Sequence, residues 1–115
     1  MRTGKFEFYG KTYLLTFSAR VSAALEADGI RLEELQHSAT PVTTILKLLC
    51  YMIDAGDRYA KMNGIENPGV VTMDQLMDGM DLVDLQQKVP RILAEVVAGE
   101  RHVEAEAPKN AGAPS

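Results

Sequence analysis

Residues Thr40–Gly64, TPVTTILKLLCYMIDAGDRYAKMNG, decide the fold. The stretch reads as a central helix over 41–63. Thr40 is predicted to cap it, and Pro41 to take the first helical position, where a missing N–H costs no hydrogen bond. Asn63-Gly64 is a stop signal. Val42, Ile45, Leu46, Leu49, Met52, Ile53, Gly56, Tyr59 and Ala60 recur at helical spacing and make a broad apolar stripe. Thr44, Lys47, Asp54, Arg58 and Lys61 fall on the other side. Asp54/Arg58 and Asp57/Lys61 are acid-before-base pairs one turn apart, each contributing a few tenths of a kcal/mol at most. The pattern specifies a helix around which the rest must pack. It specifies no chemistry.

Upstream, Lys5–Phe17, KFEFYGKTYLLTF, reads as a β-hairpin. Gly10-Lys11 suits a two-residue type II′ turn. That turn sets Tyr9 opposite Thr12, Phe8 opposite Tyr13 and Phe6 opposite Leu15. Phe6, Phe8, Tyr13, Leu15 and Phe17 then share one face. Lys5, Glu7, Tyr9, Thr12 and Thr16 take the other, with Leu14 as the exception. A one-residue slip would turn the aromatic set to water. A lone hairpin is marginal in water, so its aromatic face is expected to lie on helices.

Ser18 is predicted to cap a helix over about 19–28 that ends at Gly29, with Val21, Ala24, Leu25 and Ala27 inward. A short helix over 31–37 follows, with Leu32 and Leu35 inward. Beyond the central helix, Asn67-Pro68-Gly69 marks a turn and Val70-Val71 an extended crossing. Thr72 is placed to cap a helix over 73–80, with Asp74 in its first turn. Leu82, Leu85, Val89, Ile92 or Leu93, and Val96 keep helical spacing over 82–98, straight through Pro90. That unbroken period favours one helix kinked at Pro90, with two abutting helices as the alternative. Glu100–Ser115, ERHVEAEAPKNAGAPS, is rich in Ala, Glu, Pro and Gly and reads as a flexible tail. The expected fold class is therefore mainly α within α+β. A two-stranded hairpin packs on a small helical domain spanning 1–99, and 100–115 trails from it.

The chain has 115 residues and a formal net charge of −4, which suits one domain and opposes non-specific nucleic-acid binding. The charge is uneven: +1 over residues 1–63 and −5 over 64–115. The acidic half is a solvated face or a surface for a basic partner. Cys50 is the only cysteine, so no disulfide forms within the chain. Set mid-helix among Leu and Met, it reads as a small hydrophobe in a reducing, cytoplasmic setting. Met1–Gly10 has no apolar run fit for a signal peptide, and no stretch approaches the roughly 20 apolar residues that span a membrane.

Motifs that carry chemistry are missing. His37 and His102 lie outside any zinc-ligand spacing. Asp74, Asp78, Asp81 and Asp84 lack the glycine and terminal glutamate of an EF-hand loop. No glycine-rich phosphate loop occurs, and no nucleophile has a sequence-visible base. No catalytic, metal or cofactor residue is assigned, no cofactor is expected, and the chain reads as a non-enzyme. One set of residues stands out. Met73, Leu76, Met77 and Met80 share one helix, where methionines either fill a core or offer an adaptable surface to a partner. Leu14 is a second candidate contact point. The hairpin edge and the Met-bearing helix are both routes to homo-oligomers.

The opening "FEFYGKTYLLTFS", the following "ARVSAALEADG", the helical body and the Ala/Glu-rich "EAEAPKNAGAPS" together resemble the small tail assembly chaperones of long-tailed bacteriophages and prophages. The resemblance implies a non-enzymatic protein of the host cytoplasm, absent from the mature virion. It implies binding to the tape-measure protein and help in recruiting tail-tube subunits during tail morphogenesis. It implies no catalytic residue, while net acidity and the lack of a long apolar stretch leave neither nucleic acid nor membrane expected as a partner. It also implies a longer form made by translational frameshifting near the end of the frame, where Pro108-Lys109-Asn110 is compatible with an A-rich slippery heptamer. The alternative class is a small helical nucleic-acid-binding regulator, with the helices over 19–28 and 31–37 as a helix-turn-helix. Net acidity opposes it, as does the presence of only Arg20 and Arg31 as bases on those helices.

Overall fold

The computed structural model describes residues 2–31 and 41–96. Strands β1 (Thr3–Phe8) and β2 (Lys11–Thr16) form an antiparallel hairpin. Helices α1 (Ala19–Ala27), α2 (Val42–Asn63), α3 (Met73–Gly79) and α4 (Leu82–Gln87) follow, with a last helical segment over 89–96. The architecture is mixed α+β and mostly helical, with the hairpin packed on the helices. Of the helix expected over 31–37 only Arg31 is described, and it is not helical; the rest of it, the Thr40 cap and the tail over 100–115 lie outside the described residues.

Helix α2 is the centre of the core. Leu46, Leu48, Leu49, Met52, Ile53, Ala55, Gly56, Asp57 and Ala60 are all buried along it. Burial therefore reaches beyond the expected stripe to Leu48, Ala55 and Asp57, because neighbours pack on more than one side. Val42, expected inward, is exposed in the first turn. Pro41 also takes a different place from the one expected. Its backbone is extended (φ −60°, ψ 146°), and its carbonyl accepts from Thr44 and Ile45, so it is the cap residue itself. The end matches the stop signal. Gly64 adopts a left-handed conformation (φ 67°), and the Ile65 N–H reaches back to the Ala60 carbonyl at 2.9 Å. The Asp54–Arg58 and Asp57–Lys61 pairs form at 3.1 and 3.0 Å.

The hairpin differs from expectation in register. Phe6 pairs with Tyr13 and Phe8 with Lys11, so the turn residues are Tyr9 and Gly10. Both have positive φ (48° and 77°), as a type I′ turn requires. The shift is two residues, an even number, so the expected faces survive. Phe6, Tyr13 and Leu15 are buried, and Phe8 and Phe17 pack partly buried against the core. Thr16 is the exception, being fully buried despite its place on the outer face.

Helix α1 starts as the Ser18 signal suggests, with the Ser18 carbonyl accepting from Val21 at 3.0 Å, though no side-chain cap bond forms. Val21 and Leu25 point inward, while Ala27 is exposed. The carboxylate of Asp28 accepts from the Tyr51 hydroxyl and sits 3.9 Å from the Lys47 ammonium, joining the end of α1 to α2. That hydrogen bond is the main reason the Tyr51 phenol is held above its ordinary pKa.

Near the end of the described chain the helix expected to run from 82 divides. Helix α4 stops at Gln87, Lys88 is a turn residue, and helix resumes at 89. Pro90 thus sits in the first turn of a new segment, where its missing N–H breaks no established ladder. The Ile92 N–H opens that ladder by bonding the Lys88 carbonyl at 3.1 Å. The helical run is thus interrupted at a single residue, Lys88, whose backbone stays in the helical region (φ −88°, ψ −44°).

Candidate functional site

Helix α3 begins with a complete capping box. The Gln75 N–H donates to Thr72 Oγ1 at 3.2 Å, and the Thr72 N–H donates to Gln75 Oε1 at 2.9 Å. This satisfies two donors that would otherwise be orphaned and fixes the rotation of a helix of only seven residues. Rotation decides what each apolar side chain does. Leu76 is 0% exposed and packs into the core, so it offers no surface to a partner. Met73 and Met80 are partly buried against the same core, and Met77 is 49% exposed. The apolar spacing of the four residues is thus divided between core filling and surface.

The hairpin tip braces the far end of α3. A Cβ on Gly79 would lie 2.6 Å from the Tyr9 ring and 2.7 Å from the Phe8 ring. The Tyr9 hydroxyl donates to the Gly79 carbonyl at 3.4 Å. Phe8 meets Tyr9 edge-on at 4.7 Å and stacks with Phe6 at 5.9 Å. An aromatic row therefore runs from the hairpin core to the end of α3.

On either side of Met77 in the sequence the chain exposes further large apolar side chains. Val70 precedes α3, and Leu82 and Val83 open α4; each is about half exposed. Glu66, Asp74, Asp78, Asp81 and Asp84 accompany them, and no Lys or Arg occurs between Lys61 and Lys88. The stretch thus offers apolar contact beside carboxylates. Chemically it suits an amphipathic partner with basic flanks. Among the described residues, no group of His, Cys, Asp or Glu is arranged to hold a metal ion. Among those residues, no helix is long and apolar enough to cross a membrane.

Leu14, the other predicted contact point, occupies a different role. Its N–H donates to Asn67 Oδ1 at 2.9 Å, and its carbonyl lies against Gly56. Its side chain is only partly buried. Asn67 also donates to Asp57 Oδ1 and to the Gly69 carbonyl, each at 3.1 Å. The Asn67 bond, aided by Lys61, holds the buried Asp57 carboxyl below the ordinary aspartate pKa. Asn67 reads in the sequence only as a turn residue, and nothing there points to Leu14. Cys50 is partly buried, with its thiol 3.7 Å from the Val71 carbonyl. Burial first, then the charge of Asp54, pushes the thiol above its ordinary pKa.

Met77, Val70, Leu82 and Val83 are therefore the exposed apolar residues of the stretch 66–84, while Met73 and Met80 are partly buried and Leu76 is in the core. No protein-family model, no curated protein and no solved structure matches the chain.

Proposed function

We propose that this chain is a non-enzymatic tail assembly chaperone that binds a tape-measure protein and helps recruit tail-tube subunits in the host cytoplasm. The observation that carries the reading is the exposed apolar set of Val70, Met77, Leu82 and Val83 among the carboxylates of residues 66–84. A tape-measure protein is a long helical chain that needs its apolar surface covered before assembly. A surface with apolar contact and negative charge fits a helix with an apolar stripe and Lys or Arg beside it. The layout of hairpin, helical body and Ala/Glu-rich tail adds the family resemblance. The resemblance adds that the protein acts by association and is absent from the mature virion.

The test is co-expression with the tape-measure protein of the same genome. Wild-type chain should co-purify with it and keep it soluble. M77K and V83K alter exposed positions and should leave the fold intact by circular dichroism while abolishing co-purification. Unchanged co-purification by both variants would place the contact elsewhere, and failure of the wild-type chain to bind would remove the reading.

A further inference from the structure

We propose that two copies of this chain pair through β1, antiparallel and about a two-fold axis at Phe6, to make a four-stranded sheet. The type I′ turn makes Phe8 and Lys11 a hydrogen-bonded pair. Alternation then makes Phe6/Tyr13 and Gly4/Leu15 hydrogen-bonded pairs as well. The backbone groups of the intervening residues point outward, away from the partner strand. On β2 that outward edge is closed, because Leu14 is held by Asn67 and Gly56. On β1 the outward residues are Thr3, Lys5 and Glu7, and all three are exposed. Among the described residues the sheet thus has one closed edge and one open edge.

Charged residues on an edge strand usually discourage pairing. Here the two charges have opposite sign and stand two positions apart, which selects a single favourable self-pairing. With Phe6 opposite Phe6 of the second copy, Lys5 stands opposite Glu7 and Glu7 opposite Lys5. Each of these pairs exchanges both of its N–H···O bonds and joins unlike charges across the strands. Centring the axis on Lys5 would oppose two ammonium groups. Centring it on Glu7 would oppose two carboxylates. The interface is isologous and closes on itself, so it stops at two copies. It uses a different surface from α3 and α4 and stands whatever those helices bind.

Sedimentation equilibrium on the full chain, from micromolar to millimolar concentration, tests the pairing. Wild type should show a concentration-dependent monomer–dimer equilibrium. K5E or E7K alone sets like charges opposite each other and should weaken dimerisation about tenfold or more. The exchanged variant K5E/E7K restores unlike charges in the same register and should recover near wild-type affinity. Circular dichroism confirms that each variant is folded. A strictly monomeric wild type would overturn the proposal. So would single variants that dimerise as well as wild type, or a double variant that fails to recover.

Discussion

A Cβ placed on Gly56 would stand 1.8 Å from the carbonyl oxygen of Leu14 and 2.4 Å from its carbon. The helix therefore meets the edge of β2 backbone to backbone, with no side chain between them. This contact accounts for the glycine in the middle of α2, which otherwise costs roughly 1 kcal/mol against alanine in a helix. Gly56→Ala should destabilise the domain by at least the ~1–3 kcal/mol of an overpacked core, because the obstructing atoms are backbone and cannot rotate away. Urea denaturation measures it, and an alanine variant as stable as wild type would contradict this packing.

Asn67→Ala removes the acceptor for the Leu14 N–H and a donor to the buried Asp57 carboxylate. A loss of about 2–4 kcal/mol is expected, since two partly buried polar groups lose a partner at once. The variant also changes the response to acid. Asp57 has a folded-state pKa below its unfolded value, so its contribution is complete above the unfolded pKa of about 4 and disappears as pH falls through the folded one. In Asn67→Ala the carboxyl should titrate higher, and that acid-sensitive component should shrink. Carboxyl NMR titration of Asp57 reads the shift, and an unmoved pKa would separate Asn67 from it.

Phe6→Ala should cost about 3–5 kcal/mol, the range for truncating a buried aromatic. Phe8→Ala should cost less, because Phe8 is only partly buried and leans on Tyr9 and Gly79 at the hairpin tip. Thermal melts of the pair decide, and a larger loss at Phe8 would speak for a different hairpin.

Thr16 is fully buried, and its hydroxyl finds no hydrogen-bond partner among the described residues. Thr16→Val keeps the shape and removes an unpaired polar atom. It should stabilise the domain by about 1 kcal/mol. A destabilised valine variant in chemical denaturation would mean that the hydroxyl has a partner after all.

What could be read from the sequence follows from the physics of each signal. Gly64 was legible because a left-handed residue after a long apolar period has few other meanings. The hairpin faces were legible because side chains alternate, and an error of two residues preserves alternation. The register was not, because Tyr is an uncommon occupant of a positive-φ turn position. Here Tyr9 is held by its neighbour Phe8 and by Gly79, 70 positions away in the chain. The break before Pro90 was hidden by an apolar period that two abutting segments carry as well as one helix. Met77 could be named as a surface candidate but not separated from Leu76, because their separation rests on the rotation set by Thr72 and Gln75. Asn67 and Gly56 gave no functional signal, since a turn residue and a helical glycine reveal nothing about a strand elsewhere.

Asn67 bonds partners 53 and 10 positions away in the chain, Leu14 on the hairpin and Asp57 on the central helix. One amide therefore couples the hairpin, the helix and the loop into a single cooperative unit. The hairpin cannot lift from α2 without also stripping the buried carboxylate of its neighbour, so partial opening is penalised twice. Local fraying is thereby converted into global unfolding. The amide of Leu14, although on an outer strand, should exchange with solvent as slowly as the amides in the middle of α2.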